Sequence, residues 1–184
     1  AGLDRAHRMH KAGCLPSLTL DLDAARARAA QALLAASKDG SLRNGPKDDT
    51  YDASLAQAAI LGFPNREVCE ATMQSIARAL AVQAGGKETG FYFRYLRTDD
   101  FGRPQSSFVI CSFWVVQGLA RLGRMAEAQQ IMAQVLTGAN HLGLFSEHFV
   151  PETRTQLGNF PQAYSHVGLI NAAFAVSPSW TTVL

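Results

Sequence analysis

Residues 107–123 read SFVICSFWVVQGLARLG, and this stretch decides the fold class. From residue 108 to residue 116 it carries no charge and is apolar nearly all round the helical wheel. That is the pattern of a helix buried on most of its sides. Ser106 or Ser107 offers an N-cap and Gly123 a C′ residue. A helix enclosed in this way needs other elements around it, and the flanking sequence predicts more helices.

Downstream, residues 125–136 place Ala128, Ile131, Met132 and Val135 on one side. Upstream, Asn65 caps REVCEATMQSIARALAVQ (residues 66–83), with Val68, Thr72, Met73, Ile76 and Leu80 on one face and Gly85 and Gly86 as its stop. A short helix over 51–61 ends at Gly62 and Pro64. An Ala-rich run over 24–38 favours helix, capped by Asp21 or Asp23, with Ala25, Ala29, Ala32, Leu33 and Ala36 as its apolar face. Leu3, Ala6 and His10 keep helical spacing before Gly13, and a last helix over 162–175 carries Val167, Leu169, Ile170 and Ala173. About seven helices with no β-α-β alternation make the chain all-α.

Composition narrows the function classes. The 184 residues are 47% hydrophobic and 17% charged, below the usual share of about a quarter. A chain this apolar builds a sizeable core and is not a disordered tail. The net charge of +2 is spread without a basic run, so charge gives no support for nucleic-acid binding. No apolar run reaches membrane-spanning length. The charged, helical start is not a signal peptide, and the expected address is cytoplasmic. Cys14, Cys69 and Cys111 form no C-x-x-C pair and read as small buried hydrophobes or free thiols in a reducing compartment.

Long connections in a helical domain carry function, and two stand out, at 87–105 and 139–162. The first collects Tyr92, Arg94, Tyr95, Arg97, Asp99 and Asp100. Flat rings stack on sugars and charged groups bond hydroxyls, so this set suits a polyhydroxylated ligand. The alternative is a salt-bridged loop packed by its own aromatics. The second holds Glu147 among Leu144, Phe145 and Phe149, followed by Asn159, Gln162, Tyr164, Ser165 and His166. A carboxylate in that setting suits a general base. Alternatively, Glu147 pairs with His148 or Arg154. His148 and His166 lack a third ligand at sensible spacing, so no metal and no cofactor is expected.

The motifs TDDFGRP, FVICSFWVVQGLARLGR, GLFSEHF and QLGNFPQAYSHVGLINAA together resemble bacterial glycoside hydrolase family 15, with its glucoamylase-, glucodextranase- and trehalase-like enzymes. AGLDRA, YDASL and the closing S-x-S-W extend the likeness over the whole chain. The resemblance implies an (α/α)6 barrel of which about seven helices form the C-terminal half, so the chain is expected to be a fragment whose N-terminal half is its missing partner. It implies inverting, exo-acting hydrolysis of an α-glucoside or oligosaccharide. Glu147 matches the family's general base, and Arg94 and Tyr95 its Arg-Tyr pair, with Asp99 and Asp100 opening the sugar-binding loop. The general acid of the pattern, in a Trp-Glu motif, precedes the segment matching Ala1, so the chain is expected to be inactive alone. Gln105 and His148 depart from the pattern.

Other functions fit less well. One is a non-catalytic helical module that binds carbohydrate or protein. A tetratricopeptide array lacks a second copy at about 34 residues. A terpenoid cyclase lacks the third acid after Asp99 and Asp100.

Overall fold

The computed structural model describes residues 1–17 and 19–179, and the S-x-S-W close at Trp180 lies outside the described residues. In chain order, helix α1 (Gly2–Lys11) and helix α2 (Leu22–Ala35) precede a two-residue hairpin, β1 (Ser37–Lys38) and β2 (Ser41–Leu42). A 3₁₀ turn (Ala53–Ala56) runs into α3 (Gln57–Ile60), followed by α4 (Arg66–Leu80). Strands β3 (Ala81–Ala84) and β4 (Lys87–Tyr92) pair antiparallel. Then come β5 (Ser107–Phe108), α5 (Val109–Arg121), α6 (Met125–Leu136), β6 (His148–Val150), β7 (Thr155–Leu157) and α7 (Ala163–Val176).

Seven α-helices among the described residues agree with the sequence pattern, but the long connections are not helical or irregular throughout. Three small antiparallel sheets, β1-β2, β3-β4 and β5-β6-β7, correct the purely all-α expectation. Helix α4 stops at Leu80, and residues 81–84 turn into a strand instead of extending it. Gly85 and Gly86, both at positive φ, make the two-residue turn between Ala84 and its partner Lys87. A hairpin turn of this length needs left-handed backbone, which glycine adopts without a Cβ clash.

Helix α5 lies at the centre. Every residue from Val109 to Val116 is buried, with Phe113 and Val116 fully enclosed. Helix α7 packs along it at close range: a Cβ on Gly168 would fall 2.3 Å from Ile110 Cδ1 and 3.2 Å from Phe113 Cβ. Met73, Ile76 and Leu80 of α4 and Met132 and Val135 of α6 complete the same core with Phe91 and Phe145. Asp21 and Asn65 cap α2 and α4 through Ala24 N and Val68 N.

Two expectations about helix ends and faces change. Neither Ser106 nor Ser107 caps α5; its N-cap is Phe108, and Ser107 Oγ donates instead to Phe149 O across the β5-β6 pair at 2.6 Å. Of the face expected on α2, Ala25 is buried, but Ala29, Ala32 and Leu33 are exposed. Helix α2 packs on α1 and leaves its far side uncovered among the described residues. A cleft of about 710 Å³ opens between α1, α2 and residues 54–64. Val167, Ile170 and Phe174 form an exposed apolar stripe on α7. No helix among the described residues is long and apolar enough to cross a membrane.

Candidate active site

Glu147 sits just before β6, where the chain enters the three-stranded sheet. Its carbonyl accepts from Val109 N at 3.0 Å, so the first free N–H of α5 is satisfied by the main chain of Glu147. Its own N–H donates to Asn159 O at 2.9 Å. The half-buried carboxylate faces neither His148 nor Arg154. Oε2 accepts from Asn159 Nδ2 at 2.9 Å and from Asn159 N at 3.2 Å. His148 turns Nδ1 to Ser107 O at 3.0 Å and stacks on Phe108, while Arg154 Nη2 donates to Thr137 O at 2.8 Å. Glu147 makes no ion pair among the described residues.

The first turn of α7 holds the loop that presents Glu147. Gln162 N donates to Phe145 O at 2.9 Å, and Gln162 Oε1 caps the helix at Ser165 N. The buried Ser165 Oγ lies 2.8 Å from Ser146 O and 2.7 Å from Gln162 Oε1, two acceptors that share its one proton. His166 bonds Gln162 O through Nδ1 at 2.8 Å and accepts from Phe145 N at Nε2. Those roles place a ring proton on Nδ1. His166 is therefore a satisfied structural side chain, and no group of three or more His, Cys, Asp or Glu among the described residues is placed to hold a metal ion.

Arg94 anchors the second cluster. Its Nε donates to Asp52 Oδ1 at 2.6 Å, and its guanidinium lies 5.8 Å from the Trp114 ring. Trp114 in turn meets Tyr164 of α7 edge-on, with centroids 6.0 Å apart. Burial works to lower the pKa of Arg94, but the hydrogen bond and charge of Asp52 outweigh it and hold the value above the ordinary one. Cys111 lies in the same surroundings, and burial pushes its thiol up. Asp52 was not singled out as a site residue from the sequence, nor was Trp114. The signal for Asp52 lay in YDASL, where an acid ahead of a short helix reads as a cap. It is one, accepting from Ser54 N at 2.8 Å, and the same oxygen also holds the arginine.

Tyr95, Asp99 and Asp100 do not join this cluster through any hydrogen bond or ion pair among the described residues. Tyr95 OH donates to Asp99 Oδ2 at 2.5 Å, and Arg97 covers the Tyr95 ring at 4.4 Å. Asp99 also accepts from Phe101 N at 2.8 Å, closing a turn that leaves Phe101 at its exposed tip. The hydrogen bond from Tyr95, followed by that from Phe101, holds the Asp99 carboxyl below its usual range. Asp100 is exposed. This loop is thus packed by its own ring and charges, while Arg94 reaches Asp52, Tyr92 is buried in the core and Leu96 packs against it.

Glu147 accepts from the first residue of α5, while the Arg94 cluster meets α5 at Trp114 near its middle and, through that ring, Tyr164 in the first turn of α7. The 710 Å³ cleft is lined by none of these residues. Residues 122–174, which include Glu147, Asn159 and Tyr164, match the model of glycosyl hydrolases family 15. Over these residues the chain resembles family 15. It is 37% identical over 144 residues to a trehalase of Mycolicibacterium smegmatis, covering 76% of this chain and 21% of that protein. It is 39% identical over 125 residues to a trehalase of Thermoplasma acidophilum, covering 66% and 20%. The chain thus spans about a fifth of the length of these two relatives. A solved glycosidase superposes with a TM-score of 0.70 at 20% identity, over 84% of this chain and 44% of the other, and so does a variant of a glycosidase in complex with glucose. The chain therefore shares the fold of these solved structures over the superposed part, and Asp52 and Arg94 lie outside the segment matched by the family model.

Proposed function

We propose that residues 1–184 carry the base side of the active site of an inverting, exo-acting α-glucosidase of glucoamylase or trehalase type, with Glu147 as general base. In this reading the chain is the C-terminal part of an (α/α)6 catalytic domain, and the apolar stripe on α7 faces its remaining helices. The observation that carries the reading is the Glu147 carboxylate itself. It is half-buried between the enclosed rings of Phe145 and Phe149 in sequence, pairs with no cation among the described residues, and has only Oε2 engaged. Structural carboxylates in such surroundings are normally ion-paired; one left with a free oxygen is equipped to take a proton.

Glu147 accepts a proton from water as the water oxygen bonds to the anomeric carbon. The bond from that carbon to the glycosidic oxygen breaks, and the departing oxygen takes a proton from a carboxylic acid. Inversion needs the two carboxyl groups roughly 6.5–9.5 Å apart, with the water between them. The acid belongs to the Trp-Glu motif that the family pattern has ahead of the segment matching Ala1. Arg94, fixed by Asp52 and flanked by Trp114 and Tyr164, bonds the sugar hydroxyls. Tyr95, Asp99 and Asp100 shape the loop beside it. The trehalase relatives support an α-glucoside of the trehalose class as substrate.

Glucose release from trehalose and maltose tests this in the protein as its gene encodes it. Glu147→Gln keeps the side-chain shape, removes the base, and lowers turnover by about 10²–10⁴-fold while glucose binding persists. Near-normal turnover by that variant removes Glu147 from the mechanism. The 184-residue chain by itself releases no glucose, since it lacks the proton donor; robust turnover by it would show that the acid lies within these residues.

A further inference from the structure

We propose that Asn159, presented by Gly158, is the positioning residue that fixes one oxygen of Glu147 and leaves the other to work. The proposal rests on the general-base reading of Glu147. Three hydrogen bonds join these two residues: Glu147 N to Asn159 O at 2.9 Å, Asn159 N to Glu147 Oε2 at 3.2 Å and Asn159 Nδ2 to the same Oε2 at 2.9 Å. The main-chain bond sets the register, and the other two set the side-chain torsions. Both donors converge on Oε2, so Oε1 keeps its lone pairs for a water. A base must be held in line with its water, and a misplacement of about 1 Å can cost about 10²-fold in rate.

Gly158 makes the approach possible. Its φ of +75° lies in the left-handed region, and a Cβ there would sit 2.8 Å from Glu147 Oε2 and 3.0 Å from Glu147 Cβ. Any other residue would be strained in its own backbone and would push the carboxylate out of place. The nearby ionisable side chains are committed elsewhere. His148 faces Ser107 O, His166 faces Gln162 O and Phe145 N, and Arg154 faces Thr137 O. Asn159 is therefore the one side chain among the described residues that bonds the carboxylate.

Asn159→Ala, Asn159→Ser and Asn159→Asp in the gene-encoded protein test the assignment, with folding checked first by circular dichroism and melting. Asn159→Ala lowers kcat by about 10- to 10²-fold with KM within about twofold, because positioning rather than substrate binding is lost. Asn159→Ser, which keeps the backbone donor and offers a hydroxyl, recovers part of that loss. Asn159→Asp sets a second carboxylate against Oε2, and the acidic limb of the kcat/KM profile moves to higher pH by about one unit or more. If folded Asn159→Ala and Asn159→Asp keep kcat within twofold and the acidic limb unmoved while Glu147→Gln is inactive, the positioning role is refuted and the base reading stands. If Glu147→Gln is active, the base reading fails first. Should Asn159→Ala not fold, Asn159→Asp and Asn159→Ser decide by the same kcat and pH criteria.

Discussion

Replacing Asp52 with Ala removes two bonds made by one oxygen. Asp52 is 4% exposed; its Oδ1 accepts from Arg94 Nε at 2.6 Å and from Ser54 N at 2.8 Å. A hydrogen bond to a charged group contributes about 1.5–3 kcal/mol. Stranding the partner of a fully buried ion pair costs about 3–5 kcal/mol. The Arg94 side chain is 38% exposed, so water reaches it after the loss and the lower range applies. The lost cap on the 3₁₀ turn adds about 1 kcal/mol. Asp52→Ala therefore destabilises the chain by about 2.5–4 kcal/mol, and Asp52→Asn, which keeps an acceptor, by about half as much. For a chain of this size 1 kcal/mol moves Tm by about 2–4 °C, so the shift is well outside error. Urea unfolding followed by circular dichroism of Asp52→Ala, Arg94→Ala and the double variant isolates the pair, with an expected coupling of about 1–2 kcal/mol. Additivity within 0.5 kcal/mol, with each single change costing below about 1 kcal/mol, would refute the claim that Asp52 holds Arg94.

Burial raises the thiols of Cys69 and Cys111, whereas Cys14 is exposed, so a thiol reagent at neutral pH labels Cys14 in the native chain and all three only after unfolding; rapid native labelling of Cys111 would contradict the packing around α5. Asp48 is held down to about 2, first by the Thr50 hydroxyl, then by Thr50 N and Asn44. Because its folded value lies below the ordinary 3.8, its contribution to the 44–50 turn is present above that value and is lost as pH falls through about 2. An NMR titration of Asp48 should place its midpoint near 2, and Thr50→Ala should move that midpoint upward.

The longer helices were legible because their pattern repeats over about three turns or more, and α2 and α4 also carry local caps, Asp21 and Asn65. The strands were not, because β5, β6 and β7 are two or three residues long and pair only once the core has brought them together. Residues 81–84 illustrate the competition. Their composition continues a helix, yet pairing with residues 87–92 across a Gly-Gly turn prevails. Glu147 was visible as an acid among aromatics. Its partner was not, since twelve residues separate it from Asn159 and no local period links them. Arg94 and Asp52 are separated by 42 residues, so their pairing is equally invisible to local pattern. Tyr95 and Asp99 were read toward a ligand, and the structure bonds them to each other.

The bonds from Gln162, Ser165 and His166 back to residues 145 and 146 have a dynamic consequence. The GLFSEH segment is a loop by conformation, but it opens only when the first turn of α7 frays. Such a segment exchanges its amide hydrogens with the helix as a single cooperative unit, on the slow timescale of sub-global opening rather than the fast one of loop motion. Rigidity at Glu147 is in this sense borrowed from α7, whose close seat on α5 at Gly168 sets how rarely the unit opens.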